Sequence, residues 1–177
     1  MKTLQLKSGI PVMIREATKE NAQRMIEFYN IVGGETDFLS FGENEFTMPL
    51  IEYENFIETT KQEQNSIILV ATIEEEIVSI ASITSNQKAK SKHVGTLGIV
   101  VAQKYCGLGL GRILMDTLIE WAISNGITKK ISLVTTEHNH RAIELYKKVG
   151  FEEEGLLKKD NYVNGTYYNT LVMGLIL

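Results

Sequence analysis

Three glycines, Gly107, Gly109 and Gly111, crowd the stretch Cys106-Gly107-Leu108-Gly109-Leu110-Gly111-Arg112. An apolar run precedes them and a segment of helical spacing follows. A loop of this kind can hold a phosphate. The start of a helix presents unpaired amides and a partial positive charge. Glycine lets those amides approach an anion with no Cβ in the way. The spacing narrows the ligand. A dinucleotide fingerprint needs glycine at positions one, three and six, and position six counted from Gly107 is Arg112. A P-loop closes on Gly-Lys-Ser/Thr, whereas this chain reads Gly111-Arg112-Ile113. A tight strand-to-helix turn with no ligand is the alternative that the glycines alone leave open.

A second set of chemical groups follows in Asn139, Arg141, Ala142 and Tyr146. Asn139 suits the N-cap of a helix. Tyr146 carries a phenol that can give up a proton, yet it shares a helical stripe with Ala142, Leu145 and Val149, which also fits a core aromatic. Arg141 fits either a phosphate or solvent. Cys106 lies near a helix start, where a thiol can become acidic. No histidine neighbours it in sequence to act as its base, and a bound phosphate would surround it with negative charge, so a plain loop residue is expected. His93, His138 and His140 lack cysteine companions at ligand spacing, and no metal is expected.

Elements at the right places can present these groups. Leu4–Leu6 and Ile10–Arg15 flank the turn signal Ser8-Gly9 and predict a hairpin. Thr18 predicts an N-cap for a helix with Ala22, Met25, Ile26 and Tyr29 on one face, ended by Gly33-Gly34. Residues 35–50 are irregular and rich in aromatics. A second helix is expected from Ile51 to about Gln62, with Tyr53, Phe56, Ile57 and Thr60 together. Ile67–Ile73 and Ile77–Thr84 predict antiparallel strands. Val94–Val101 is nearly all apolar and predicts a strand buried on both faces. The helix after the glycine loop carries Leu110, Ile113, Leu114, Leu118, Trp121 and Ala122, closed by Asn125-Gly126. A strand over Lys130–Thr135, a helix opened by Asn139 and ended by Gly150, and two closing strands complete the chain. The order predicts a mixed α/β domain: one central, mostly antiparallel twisted sheet flanked by helices.

The bulk properties agree. A chain of 177 residues suits a single domain over 1–177 with a sizeable core. With 44% apolar and 23% charged residues, neither a disordered nor a fibrous class is indicated. The net charge of −4 argues against nucleic acid as a partner and is compatible with an amine. Cys106 is the lone cysteine, which excludes an intrachain disulfide and predicts a cytoplasmic setting. The first residues lack the apolar core of a signal peptide. No run of about eighteen apolar residues exists, so no membrane contact is expected.

Two blocks carry a family resemblance. Leu97-Gly98-Ile99-Val100-Val101 followed by Tyr105 to Leu114 resembles the acetyl-CoA signature of the GNAT superfamily, Gln/Arg-x-x-Gly-x-Gly/Ala at a strand–helix junction. Asn139-His140-Arg141-Ala142-Ile143-Glu144-Leu145-Tyr146-Lys147-Lys148-Val149-Gly150-Phe151 resembles the family's Asn-x-Arg-Ala-x-x-x-Tyr-x-x-x-Gly-Phe block. The resemblance covers residues 12–177. The tail around Glu154-Gly155 and Gly165-Thr166-Tyr167-Tyr168 is similar to the branch holding ribosomal-protein and diamine N-acetyltransferases. One departure stands out: the family's Gln or Arg falls on Cys106, leaving the backbone amides to bind phosphate, with Lys104 or Arg112 as partial substitutes.

The resemblance implies an acetyl-CoA-dependent N-acetyltransferase with direct transfer through a tetrahedral intermediate. Gly98, Ile99, Val100 and Val101 would line the thioester and supply an oxyanion donor. Cys106, Gly107, Leu108, Gly109, Leu110, Gly111 and Arg112 would cradle the pyrophosphate. Asn139, Arg141, Ala142 and Tyr146 would complete the cofactor site, with Tyr146 as general acid to the leaving thiolate. The acceptor is an amine on a small molecule or a protein N-terminus. Homodimers are frequent in the family. An acyl-CoA-binding sensor without turnover is the alternative. No base is assigned: Glu35, Asp37, Glu43, Glu45 and His93 are candidates because residues 30–50, 85–93 and 155–168 are expected to shape the acceptor pocket. A lysine-like amine is only about 0.1% neutral at pH 7.4, whereas an α-amine is roughly a quarter to a third neutral, which favours an acceptor already partly neutral or a water-mediated route.

Overall fold

The computed structural model describes residues 2–177. Eight strands form one sheet in the order β1-β2-β3-β4-β5-β6-β8-β7. The hairpin β1 (Lys2–Gln5) and β2 (Pro11–Glu16) opens the chain and pairs onto β3 (Ile67–Ile73) and β4 (Glu76–Ser85). β5 (Val94–Val101) is antiparallel to β4 and parallel to β6 (Lys130–Thr136). β7 (Glu152–Val163) and β8 (Thr166–Ile176) close the sheet, β8 lying between β6 and β7. The mixed, mostly antiparallel architecture expected from the element order is therefore observed.

Two helices cover each face. On one, α3 (Leu110–Ser124) and α4 (His140–Lys148) pack over the sheet with Leu97, Ile131, Leu133 and Met173. Leu110, Leu114, Met115 and Leu118 of α3 are almost wholly buried. Each such side chain stabilises the fold by about 1.5–3 kcal/mol relative to exposure, so the start of α3 is firmly seated. On the other face, α1 (Ala22–Val32) and α2 (Leu50–Gln62) pack with Val70 and Ile80.

Several local details differ from expectation. Thr18 precedes a short 3-10 turn over Lys19–Asn21 before α1 begins. There Asn21 Oδ1 accepts the Thr18 amide at 3.0 Å and Arg15 Nη1 at 2.8 Å. The buried face of α1 is Ala22, Met25, Phe28 and Val32, with Ile26 and Tyr29 only partly covered. In α2, Phe56 is exposed and stacks on Tyr53 at 6.0 Å instead of entering the core.

β5 departs most. Gly95 and Leu97 are buried, but Thr96 and Gly98 are exposed and Ile99 to Val101 are only partly covered. The cause is topological. β5 and β6 pair only where Val94, Gly95 and Thr96 meet Lys130, Ile131 and Ser132. Past Thr96 the two parallel strands splay, leaving one edge of β5 without a partner strand.

Candidate active site

The splay opens a cleft of about 1590 Å³. Its walls are β5, the glycine loop, the α4 face and residues 35–41. A parallel pair cannot diverge without freeing backbone groups. Ala102 donates its amide to Val78 on β4. Strand alternation then turns the amides of Val100 and Gly98 toward β4 and those of Val101 and Ile99 toward the cleft. Ile99 and Val101 are thus the residues able to present an oxyanion donor, and Gly98 and Val100 line the cleft by their bulk alone.

At the C-terminal end of β5 the chain makes a 3-10 turn over Gln103–Tyr105 and enters the glycine loop. Gly107 and Gly109 have φ of +84° and +90°, a region that favours glycine. The amides of Gly107, Leu108 and Gly109 donate to no acceptor among the described residues. The first-turn amides of α3 lack intrahelical acceptors as at any helix start. The result is a continuous run of free donors at a positive helix pole, an arrangement able to receive an anion.

The flanking side chains sort themselves by contact. Arg141 lies against Gly107, close enough that a Cβ there would meet its Nη2. Its side chain is solvent-exposed and reaches the loop. Arg112 Nε donates to both carboxylate oxygens of Asp116, at 2.8 and 2.9 Å. Lys104 Nζ lies 5.2 Å from the centre of the Tyr105 ring. Asn139 caps α4: its Oδ1 accepts the Ala142 amide at 3.4 Å and its Nδ2 donates to Thr135 at 3.3 Å. Ala142 lines the cleft beside it.

Cys106 keeps its Sγ 3.7 Å from the Val101 carbonyl. Burial pushes its thiol pKa up; Arg141 opposes this and Glu35 adds to it. The neutral thiol therefore dominates at neutral pH, the opposite of an activated nucleophile. Cys106 is expected to alkylate with iodoacetamide at pH 7.5 more slowly than a free cysteine, the rate climbing as the pH is raised. Mass-spectrometric labelling reads this, and labelling faster than the free thiol would contradict it.

Tyr146 is the one buried residue of α4 and borders the cleft. Burial pushes its phenol up to about 12. It therefore carries its proton throughout the neutral range, as a general acid must.

The base candidates divide. Glu35 and Asp37 line the cleft; Glu35 accepts the Gln103 amide at 2.8 Å and Asp37 accepts from Asn164 at 3.4 Å. Glu43 and Glu45 do not line it, and Glu45 instead accepts the Gly42 amide at 2.6 Å. His93 and the whole 85–93 segment lie elsewhere, which corrects their expected place at the acceptor pocket. The glycine loop follows the C-terminal end of β5, and the β4–β5 connection necessarily sits at its other end.

His138 and Tyr168 come together in the cleft, a pairing that their sequence context does not show. The His138 ring stacks on Tyr168 at 3.9 Å and tilts against Phe38 at 5.2 Å. His138 Nδ1 and Thr136 Oγ1 are the buried side-chain polar atoms without a partner among the described residues. Glu137 clamps Asn169 through its amide at 2.9 Å and Nδ2 at 3.0 Å, fixing the corner between β6 and α4. Among the described residues no group of three His, Cys, Asp or Glu side chains could hold a metal, and no helix is long and apolar enough to cross a membrane.

Residues 34–151 match the family model described as the acetyltransferase (GNAT) family. The chain belongs to the GNAT family. It is thus an acetyl-CoA-dependent N-acetyltransferase by class, the fold and reaction that the two sequence blocks implied. An L-amino acid N-acetyltransferase of Escherichia coli is 33% identical over 61% of this chain and 67% of its own. A GNAT-family acetyltransferase structure from Streptococcus pneumoniae is 33% identical, with a TM-score of 0.90 over 94% of this chain and 99% of the other. A Salmonella typhimurium putative acetyltransferase, solved with acetyl-CoA, shares the fold at 20% identity, with a TM-score of 0.80 over 94% of each chain.

Proposed function

We propose that this chain acetylates a cationic primary amine that carries no free α-carboxylate, with residues 1–177 acting as one catalytic unit in the cytoplasm. Acetyl-CoA lies in the β5/β6 splay. The amides of residues 107–112 and Arg141 hold its pyrophosphate, Asn139 and Ala142 flank its arm, and the Ile99 or Val101 amide receives the oxyanion. The bound ammonium first gives a proton to cleft water, and the neutral amine attacks the thioester carbon. The tetrahedral intermediate gives its second nitrogen proton to water and collapses. The sulfur leaves with the Tyr146 proton, and solvent reprotonates the phenolate.

The charge layout of the cleft carries the acceptor reading. Every lysine and arginine that lines it, Lys7, Arg112, Arg141 and Lys148, comes from the β1–β2 hairpin, α3 or α4. The other end, built from residues 37–46 and 160–170, presents Asp37 and Asp160 beside Phe38, Phe41, Phe46 and Tyr168, while Glu35 sits between the two ends, bonded to the Gln103 amide. Carboxylates and aromatic faces attract a cation. An amino acid's carboxylate would find no cationic side chain there and would meet like charge.

A matched pair tests this: leucinamide and leucine, assayed by thiol release with acetyl-CoA. The amide is expected to show kcat/KM about five-fold higher or more, since like-charge juxtaposition costs the acid at least about 1 kcal/mol. A diamine should also be accepted. Equal or better turnover of the free acid would overturn the acceptor assignment while leaving the acetyltransferase class intact.

A further inference from the structure

The pyrophosphate cradle lacks a long polar side chain where the family signature has Gln or Arg, because Cys106 stands there. Among the cations near the loop, Arg112 is engaged with Asp116 and Lys104 with the Tyr105 ring, which leaves Arg141 on the α4 side of Gly107. From the start of the chain, the β1–β2 turn brings another. Leu6 is buried in the core and anchors the turn. The turn closes through Leu6 N–H to Ile10 O at 2.9 Å and Gly9 N–H to Leu6 O at 2.8 Å. The Lys7 amide then donates to Leu108 O at 3.0 Å, tying the hairpin to the glycine loop. The Lys7 stem runs beside Gly109, with Cγ and Cε 3.5 and 3.6 Å from where a Cβ would stand. Lys7 lines the cleft and makes no ion pair among the described residues.

We infer that the N-terminal hairpin is part of the cofactor site, and that Lys7 supplies the pyrophosphate counter-charge that Cys106 cannot. The assignment rests on the proposed seat of acetyl-CoA. Two features act together. The main-chain bond takes up the Leu108 carbonyl, so that oxygen no longer faces an incoming anion. The ammonium on a flexible stem then closes over the diphosphate that the loop amides receive. A lysine serves this task because a point charge needs no fixed fork geometry.

Calorimetric binding to the full chain tests the inference with CoA and with dephospho-CoA, which keeps the pyrophosphate and lacks the 3′-phosphate. Lys7→Met keeps the apolar stem and removes the charge. It is expected to weaken both ligands alike, by about five- to ten-fold at low salt, and to flatten the salt dependence of binding. Lys7→Arg is expected to bind within about two-fold of the parent, since the charge is retained. Parent-like affinity in Lys7→Met would overturn the inference. So would an equal loss in Lys7→Arg, which would mean a packing role, or a loss confined to CoA, which would place the contact on the 3′-phosphate. A parent chain that bound neither ligand would instead remove the acetyl-CoA site itself.

Discussion

Tyr146→Phe lowers kcat by about a hundred-fold and leaves the dissociation constant for CoA within about two-fold of the parent, the range expected when a general acid is removed without disturbing its pocket. The ring stays where it is: it packs 6.0 Å from Phe151 in the core beside α3, and phenylalanine fills the same space. Only the proton is lost. The thiolate must then leave unprotonated, so the whole effect falls on the step after tetrahedral collapse begins. The pH profile adds a second readout. Burial raises the Tyr146 phenol to about 12, so the protonated, active form persists as pH rises through the neutral and mildly alkaline range. In the parent, kcat should show no falling limb assignable to this residue below about pH 11, one unit under that value. Equal turnover in Tyr146→Phe and parent would remove the acid role and return Tyr146 to the core.

Gly109→Val weakens acetyl-CoA binding by about thirty-fold, equivalent to about 2 kcal/mol. The N-cap of α3 sits at φ +90°, and a β-branched side chain strongly resists that geometry. The strain is of order 1–3 kcal/mol, and part of it is relieved by moving the loop, which misdirects the amides. The added methyls also meet the Lys7 stem, already at van der Waals distance from a Cβ. A fall in Tm of several degrees should accompany the lost affinity, at about 2–4 °C per kcal/mol for a chain of this size. Gly109→Ala shares the backbone penalty without the branch and should fall between Val and parent. Calorimetry and thermal melts on the three chains decide it. Unchanged affinity in the valine variant would mean the anion cradle lies elsewhere.

What the sequence revealed was mostly local. The glycine loop and the block from Asn139 to Phe151 could be read because turn chemistry and helix capping are written in neighbouring residues. Asn139 caps α4 and Gly109 adopts the left-handed conformation that a loop of this kind requires. Tyr146 could be placed on a helical stripe, but its opening onto a cleft comes from strands that separate far from it. β5 misled for the same reason: its apolar run fits a fully buried strand, and only the divergence of β6 after Thr96 exposes it. His93 was misplaced although the topology held the answer, since a loop after one end of a strand cannot be shaped by the turn before the other. Lys7 carries no local signal at all, His138 is legible only as a poor metal ligand, and Tyr168 only through the 155–168 segment expected at the acceptor pocket. They reach the cleft through the β1–β2 turn, the β6–α4 corner and the β7–β8 hairpin, three contacts that pair residues distant in sequence.

Amide hydrogen exchange with and without acetyl-CoA tests the central claim most directly, because the proposed site is built from backbone donors. Saturating acetyl-CoA should slow exchange in two segments, Leu97–Val101 on the free edge of β5 and Gly107–Arg112 at the start of α3, while the exposed β7 strand is unchanged. Protection confined to other segments, or none in these two under saturating ligand, would contradict the placement of the cofactor in the splay between β5 and β6.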